Sequence, residues 1–290
     1  MTNENNLNLS VIVPVYNEEG AVVKTLTDLK RVTASLGINY EIIAVNDAST
    51  DKSYKLMSEI ESIKIVNHPY NLGSGASLKS GLKVAKGDNI LIIDADGTYP
   101  IDVIPEFFSH IDKYDMVVGA RIGEKVDIPF LRRPAKWLIT FLANFLSGRK
   151  ISDLNSGLRI FKRSLALEFF HLYPQRFSFT TTITLAFLSE GYTVKFIPIN
   201  YYKRSGKSSI KPINDFVNFS ALIVRVMVYF RPFRMFAFLS SIILVIAIID
   251  GSYTLYFYHH FNATFVIIIL SAVQVFISGL IAELIVRTRR

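Results

Sequence analysis

Residues 89–100 read NILIIDADGTYP, an apolar, β-branched run that closes on two aspartates one residue apart. A short apolar run bounded by polar turn formers reads as a strand buried on both faces. The same pattern repeats outward from it. Strands are predicted at Leu9 to Val15, Tyr40 to Asn46, Ile63 to Asn67, Asn89 to Ile93 and Met116 to Gly119, with helical patterns near 18–34, 51–61, 74–85 and 101–111 between them. Strand–helix alternation implies an α/β architecture, a mostly parallel Rossmann-like sheet with helices on both faces. Ligands bind such sheets beyond the carboxyl ends of the strands. Here those ends are Pro14-Val15-Tyr16-Asn17-Glu18-Glu19, Asn46-Asp47-Ala48-Ser49-Thr50-Asp51 and Asp94-Ala95-Asp96.

Turn and capping roles account well for Ser49 and Asp51 and poorly for Asp94 and Asp96. Two carboxylates past an apolar strand are able to present hard oxygen ligands to one Mg²⁺ or Mn²⁺, which neutralises a diphosphate. Capping of the helix near 101–111 is the bland alternative, although Pro100 and Asp102 already suit that purpose. The glycines of Asn71-Leu72-Gly73-Ser74-Gly75 follow the third strand, whereas a dinucleotide fingerprint follows the first. That placement argues against a dehydrogenase and leaves a plain turn or a helix start packed against a ligand.

The chain has 290 residues, half of them apolar, 19% charged, with net charge +8 and no cysteine. Its mean hydropathy is +0.33. Disorder, disulfide frameworks, thiolate metal sites and cysteine nucleophiles are excluded. The apolar excess collects at Met235 to Phe257, interrupted only by Asp250, and at Ala263 to Val286, interrupted only by Glu283. A membrane-spanning helix needs about 20 such residues, so a transmembrane hairpin is expected over 233–290. Arg231 and Arg234 precede the first span, Arg287, Arg289 and Arg290 follow the second, and the turn at 258–262 has no Lys or Arg. The positive-inside rule then predicts that both termini and the segment before the hairpin lie in the cytoplasm; the MTNENNLNLS start shows no secretion signal. Two basic, apolar-faced segments, about 134–147 and 212–232, read as amphipathic interface helices drawn to anionic lipid, or as helices packed on the sheet. Basic residues clustered beside apolar spans argue against nucleic acid.

VPVYNEEG, VNDASTD, NLGSGASLKSGLKVAKGD and IDADGTYP resemble, in order and spacing, family 2 glycosyltransferases of the GT-A fold. DLNSGLRIF, FSFTTTITLAF, RSGKSS and the hairpin bring the likeness closer to the polyprenyl-phosphate glycosyltransferases, such as dolichol-phosphate mannose synthase and undecaprenyl-phosphate glucosyltransferases. The resemblance implies that Pro14, Tyr16, Asn17 and Glu18 line the nucleotide pocket, that Asp47 contacts base or ribose, and that Asp94 and Asp96 hold a diphosphate through Mg²⁺ or Mn²⁺. It makes Asp153 the catalytic aspartate beside Asp96, and Lys207 and Ser208 a mobile loop over the donor phosphates. Many relatives read Asp-Asp-Gly-Ser where this chain has Asn46-Asp47-Ala48-Ser49, and mannose synthases often carry Leu and Gln where it has Gly97 and Thr98. The second departure sets mannose back; UDP-glucose is taken as the first expected donor, UDP-N-acetylhexosamine as the second and GDP-mannose as the third.

A lipid phosphate is the acceptor such a platform would present, with Arg121, Arg132 and Arg133 as its candidate phosphate partners. Arg159 would pair with Asp153 or with a structural carboxylate, and Phe177 to Thr182 would pack as a helix with a capping start. The reading is inverting transfer of a hexose to polyprenyl phosphate by a cytosolic domain spanning 1–211; a homo-oligomer is implied by resemblance alone. Its rivals are a polysaccharide or protein transferase on the same fold and a silent membrane scaffold. Processive relatives carry Gln-x-x-Arg-Trp, and the single tryptophan, Trp137, has no such context.

Overall fold

The computed structural model describes residues 7–122, 144, 148–175, 178–202, 221–222 and 224–288. Among them are β1 (Leu9–Val15), β2 (Tyr40–Asn46), β3 (Lys64–Asn67), β4 (Asn89–Ile92), β5 (Met116–Arg121), β6 (Arg159–Lys162) and β7 (Val194–Ile199). They form one sheet in the order β3-β2-β1-β4-β6-β5-β7. All neighbours run parallel except β6, which is antiparallel to both β4 and β5. The five expected strands are present within a residue or two at each end. β6 and β7 are additions; the four residues of β6, Arg-Ile-Phe-Lys, are too few to show a period.

Both faces of the sheet are buried, as a parallel sheet requires. Leu9, Val11, Val13 and Val15 point to one side, where α1 (Val22–Ala34), α2 (Ser53–Ser58) and α4 (Ile104–His110) supply Leu26, Leu29, Met57 and Phe107. Ile12, Ile43 and Val45 point to the other, against α3 (Ser74–Val84) and α6 (Phe179–Ser189). Between β6 and α6 lies the short α5 (Arg163–Glu168). The helix expected at 101–111 starts as a 3-10 turn, Ile101–Val103, before α4.

α7 (Pro232–Tyr258) and α8 (Ala263–Thr288) are long and apolar enough to cross a membrane. They pack closely where side chains are small: a Cβ on Gly251 would sit 2.5 Å from the Phe265 ring, and one on Gly279 2.5 Å from Phe236 Cβ. Ser240 Oγ donates to the Ala272 carbonyl at 2.8 Å. Glu283 lies beside the start of α7 and accepts from the Phe233 N–H at 3.4 Å, a favourable place for a carboxylate at a helix N-terminus. Asp250 keeps one buried oxygen, Oδ2, without a hydrogen-bond partner among the described residues.

The segment before the hairpin differs from one alternative of the sequence reading. Val226, Met227 and Phe230 are buried in the same core cluster as α3 and α6, and the Phe230 ring meets Phe169 edge-on at 5.7 Å. Over 221–230 the apolar face therefore packs on the catalytic domain instead of lying in lipid; 212–220 and nearly all of 134–147 fall outside the described residues. This packing ties the hairpin to the sheet. Phe230→Ala is expected to cost about 3 kcal/mol, read as a lower denaturation midpoint of the detergent-solubilised protein with membrane insertion unchanged. An unaltered midpoint would contradict the packing.

Candidate active site at the carboxyl edge of the sheet

Past β1 the chain does not pass straight into α1. Asn17 is left-handed at φ 55; its Oδ1 accepts from the Thr50 N–H at 2.8 Å, and its own N–H donates to Ser49 Oγ at 3.2 Å. Glu18 N–H donates to Ser53 Oγ at 2.8 Å, Glu19 N–H to Asp51 Oδ2 at 3.1 Å, and Lys52 N–H to Glu19 Oε2 at 3.1 Å. These bonds lace the β1 and β2 tips together and delay the helix to Val22. Tyr16 stands exposed at this edge, beside a partly buried Pro14. Ala48 is left-handed as well, at φ 58, at the position where the resembling sequences carry glycine.

Asp47, expected at the base or ribose, is bound to the protein on both carboxylate oxygens. It is buried, and its Oδ1 accepts from the Leu72 N–H at 2.8 Å and meets His68 Nδ1 at 2.7 Å, while Oδ2 accepts from the Gly73 N–H at 2.8 Å. Those bonds aim the carboxylate at the turn between β3 and α3.

The β4 tip is built differently. Asp96 Oδ1 accepts from the Thr98 N–H at 3.1 Å and from Thr98 Oγ1 at 2.6 Å, which fixes the rotation of its carboxylate. Because β6 runs backwards, the loop feeding it arrives at this same edge, with Arg159 level with Ile92 on β4. The loop comes so close that a Cβ on Gly157 would lie 2.3 Å from Asp94 Oδ2. Gly157 N–H donates to Tyr99 Oη at 2.6 Å, and burial raises the Tyr99 hydroxyl's pKa, keeping it protonated.

Asp153, from the same loop, sits against Arg121 at the end of β5. Its Oδ2 accepts from Arg121 Nε at 2.7 Å and from the Arg121 N–H at 3.0 Å; its Oδ1 accepts from Arg121 Nη2 at 3.0 Å and from the Asn155 N–H at 3.1 Å. Burial works to raise the carboxyl's pKa, but the hydrogen bonds and charge of Arg121 outweigh it and hold the group below the ordinary range. Arg121 is raised in return: burial disfavours its charge and the Asp153 bond more than restores it. The guanidinium also lies over the Tyr201 ring at 5.2 Å.

Among the described residues Arg159 pairs with no carboxylate, unlike either expected arrangement. Fully buried, it donates Nε and Nη2 to the Ser156 carbonyl at 3.2 and 2.5 Å, and Nη1 to the Thr180 carbonyl at 2.8 Å and Thr184 Oγ1 at 2.7 Å. Its place at the start of β6 turns it inward, under the loop and against α6. Ser178, before α6, is left-handed at φ 82 with no side-chain capping bond, so the expected capping start is absent there.

The edge thus gathers Pro14, Tyr16, Asn17, Glu18, Asp94, Asp96, Arg121 and Asp153; Arg132, Arg133, Lys207 and Ser208 lie outside the described residues. Thr98, Tyr99, Gly157 and His68 join the site unforeseen, since their importance comes from neighbours distant in sequence. Among the described residues no group of three or more His, Asp or Glu forms a ready metal cage. Two carboxylates, one rotationally fixed and one packed against a glycine, suit a hard cation whose remaining ligands are phosphate oxygens and water.

Residues 10–170 match the family described as Glycosyl transferase family 2, and 231–288 match the GtrB C-terminal hairpin. A dolichyl-phosphate hexose transferase of Haloferax volcanii is 27% identical over 220 residues, covering 75% of this chain and 93% of its own. A dolichyl-phosphate beta-glucosyltransferase of Trichomonas vaginalis is 27% identical over 240 residues, covering 76% and 71%. Glucosyl-3-phosphoglycerate synthase from Mycobacterium tuberculosis, solved with Mn²⁺, UDP and phosphoglyceric acid, shares the fold with a TM-score of 0.60 at 14% identity, over 76% of this chain and 78% of its own.

The left-handed Ala48 yields a stability test. A Cβ in that conformation costs about 1–2 kcal/mol, so Ala48→Gly is expected to raise stability by about 1 kcal/mol in urea unfolding. Destabilisation would show that the β2 tip adopts another backbone.

Proposed function

The chain belongs to glycosyl transferase family 2, and from that premise we propose that it transfers a hexose from a nucleotide sugar to a polyprenyl phosphate at the cytoplasmic face of a membrane. The observation that carries this reading is the close approach of Asp94 and Gly157, which joins the β4 aspartates to the Asp153 loop in a chain that ends in two membrane-length helices. The named relatives supply the acceptor class, and glucose is the first sugar proposed.

In this reading Pro14, Tyr16, Asn17 and Glu18 line the nucleotide pocket at the laced β1 and β2 tips, and Asp47, which also positions the neighbouring turn, contacts base or ribose. Asp94 and Asp96 would hold Mg²⁺ or Mn²⁺, which supplies positive charge to the departing nucleoside diphosphate. Lys207 and Ser208 are proposed for the donor phosphates, and Arg121, Arg132 and Arg133 for the acceptor phosphate. Asp153 holds Arg121 rigid for that task, because a guanidinium gripped through Nε and Nη2 loses little freedom when it meets a phosphate.

The acceptor needs no strong base. A phosphomonoester has its second pKa near ~6, so its oxygen is already an ionised nucleophile at neutral pH. One phosphate oxygen bonds to the anomeric carbon as the bond from that carbon to the diphosphate breaks, and a single in-line displacement inverts the centre. Catalysis then rests on alignment and on electrostatic stabilisation of the leaving group. The cytosolic unit is assigned to 1–211, joined through 212–232 to the hairpin at 233–290, with both termini cytoplasmic.

The test incubates full-length protein with Mg²⁺ or Mn²⁺, a panel of nucleotide sugars and undecaprenyl phosphate, with the lipid product identified by mass. A hexosyl phospholipid is expected from a UDP-sugar, and Asp94→Ala/Asp96→Ala should lower its rate by about 100-fold or more. The rate should fall as pH drops through the phosphate's second ionisation near ~6, since Asp153 titrates well below it. Sugar transfer only to water or protein, or full activity in the double variant, would refute the assignment.

A further inference from the structure

His68 follows β3 directly, and its ring is buried between two partners. Nδ1 meets Asp47 Oδ1 at 2.7 Å and Nε2 meets Ser80 Oγ on α3 at 2.9 Å, with only 6% of the imidazole and 4% of the Asp47 side chain exposed. A carboxylate only accepts, so Nδ1 carries a proton and donates it to Asp47. Asp47 in turn accepts from the Leu72 and Gly73 N–H groups, both at 2.8 Å. Gly73 has φ 98 and directly precedes α3. One chain of hydrogen bonds therefore runs from α3 through His68 and Asp47 to the turn that starts α3, at the carboxyl edge beside the β2 tip.

We propose that His68 is a positioning residue for nucleotide binding: it fixes Asp47, and through Asp47 it locks the Leu72–Gly73 turn that borders the pocket formed by the β1 and β2 tips. The proposal rests on the function proposed above for its link to nucleotide, while the brace itself stands on geometry alone. Without the ring, Asp47 keeps its two backbone bonds but loses the partner that sets its rotation, and a buried carboxylate short of a donor is poorly held. The turn should then open without loosening the sheet, and donor binding should weaken while the reacting centre at Asp94, Asp96 and Arg121 stays in place. Asparagine places an amide N–H near the Nδ1 position and restores the bond to Asp47; alanine and leucine do not.

The test compares His68→Asn, His68→Ala, His68→Leu and Ser80→Ala in the full chain by two readouts. The first is amide hydrogen exchange, which needs no turnover. In His68→Ala and His68→Leu, Leu72 and Gly73 should exchange about 10-fold or more faster, with β1 and β4 amides unchanged; His68→Asn should restore protection, and Ser80→Ala should fall between. The second is UDP binding by calorimetry, with KM and kcat for the UDP-sugar where turnover is present. UDP affinity should fall and KM rise about 10-fold in the alanine and leucine variants, kcat should change less than about 3-fold, and asparagine should rescue both. Unchanged protection at Leu72 and Gly73, a loss spread evenly over the sheet, failure of asparagine to rescue, or a fall in kcat with KM intact would each overturn the proposal. Altered exchange with no UDP bound by the wild-type protein would overturn the link to nucleotide and leave the brace standing.

Discussion

The reversal of a single short strand governs the rest of the site. Because β6 enters antiparallel between β4 and β5, the loop that feeds it reaches the sheet edge at which the parallel strands end. Residues distant along the chain then meet: Gly157 lies under the Asp94 carboxylate with no room for a Cβ in this geometry, and Asp153 grips Arg121 from β5. A purely parallel sheet would send that loop to the opposite edge. The aspartate pair would then stand alone.

Charge at this edge is arranged in fixed pairs and cages. Asp153 spends its carboxylate oxygens on Arg121 and Asn155, so it sets the direction of a cation and has little capacity left to take up a proton. Arg159, buried among carbonyls and a hydroxyl beneath the loop, adds a second positive charge that burial weakens and the neighbouring Asp153 supports. Removing one partner of such a buried pair is expected to cost about 3–5 kcal/mol, because it leaves the other charge unsatisfied. The site is therefore stiff before any ligand arrives, as alignment-based catalysis requires.

Much of this was legible in the sequence, for reasons that can be named. Strands buried on both faces appear as apolar runs, which is why Leu9–Val15 and Tyr40–Asn46 stand out to the residue. The β4 aspartates follow such a run directly, and the hairpin is long enough to declare itself. Other features depend on partners distant along the chain. His68 looks like any loop histidine until Asp47 and Ser80 close around it, and Asp47 shows its bonds to the Leu72 and Gly73 N–H groups only once the chain is folded. The apolar face of 221–230 suits a membrane surface or a protein core equally well by composition; the Phe169–Phe230 contact decides for the core. Ala48 keeps a glycine conformation at a tip whose hydrogen bonds enforce it.

The most direct measurement of the central claim is turnover of Gly157→Ala beside its thermal stability. Gly157 does not sit in the left-handed region, so alanine brings no left-handed strain, and the nearest atoms the added methyl meets belong to the carboxylate of Asp94. The account expects a midpoint close to wild type with sugar transfer lowered about 100-fold, since a displacement near 1 Å at a reacting centre has that effect. Wild-type turnover in a folded Gly157→Ala protein would contradict it, because Asp94 would then need no fixed place against the loop.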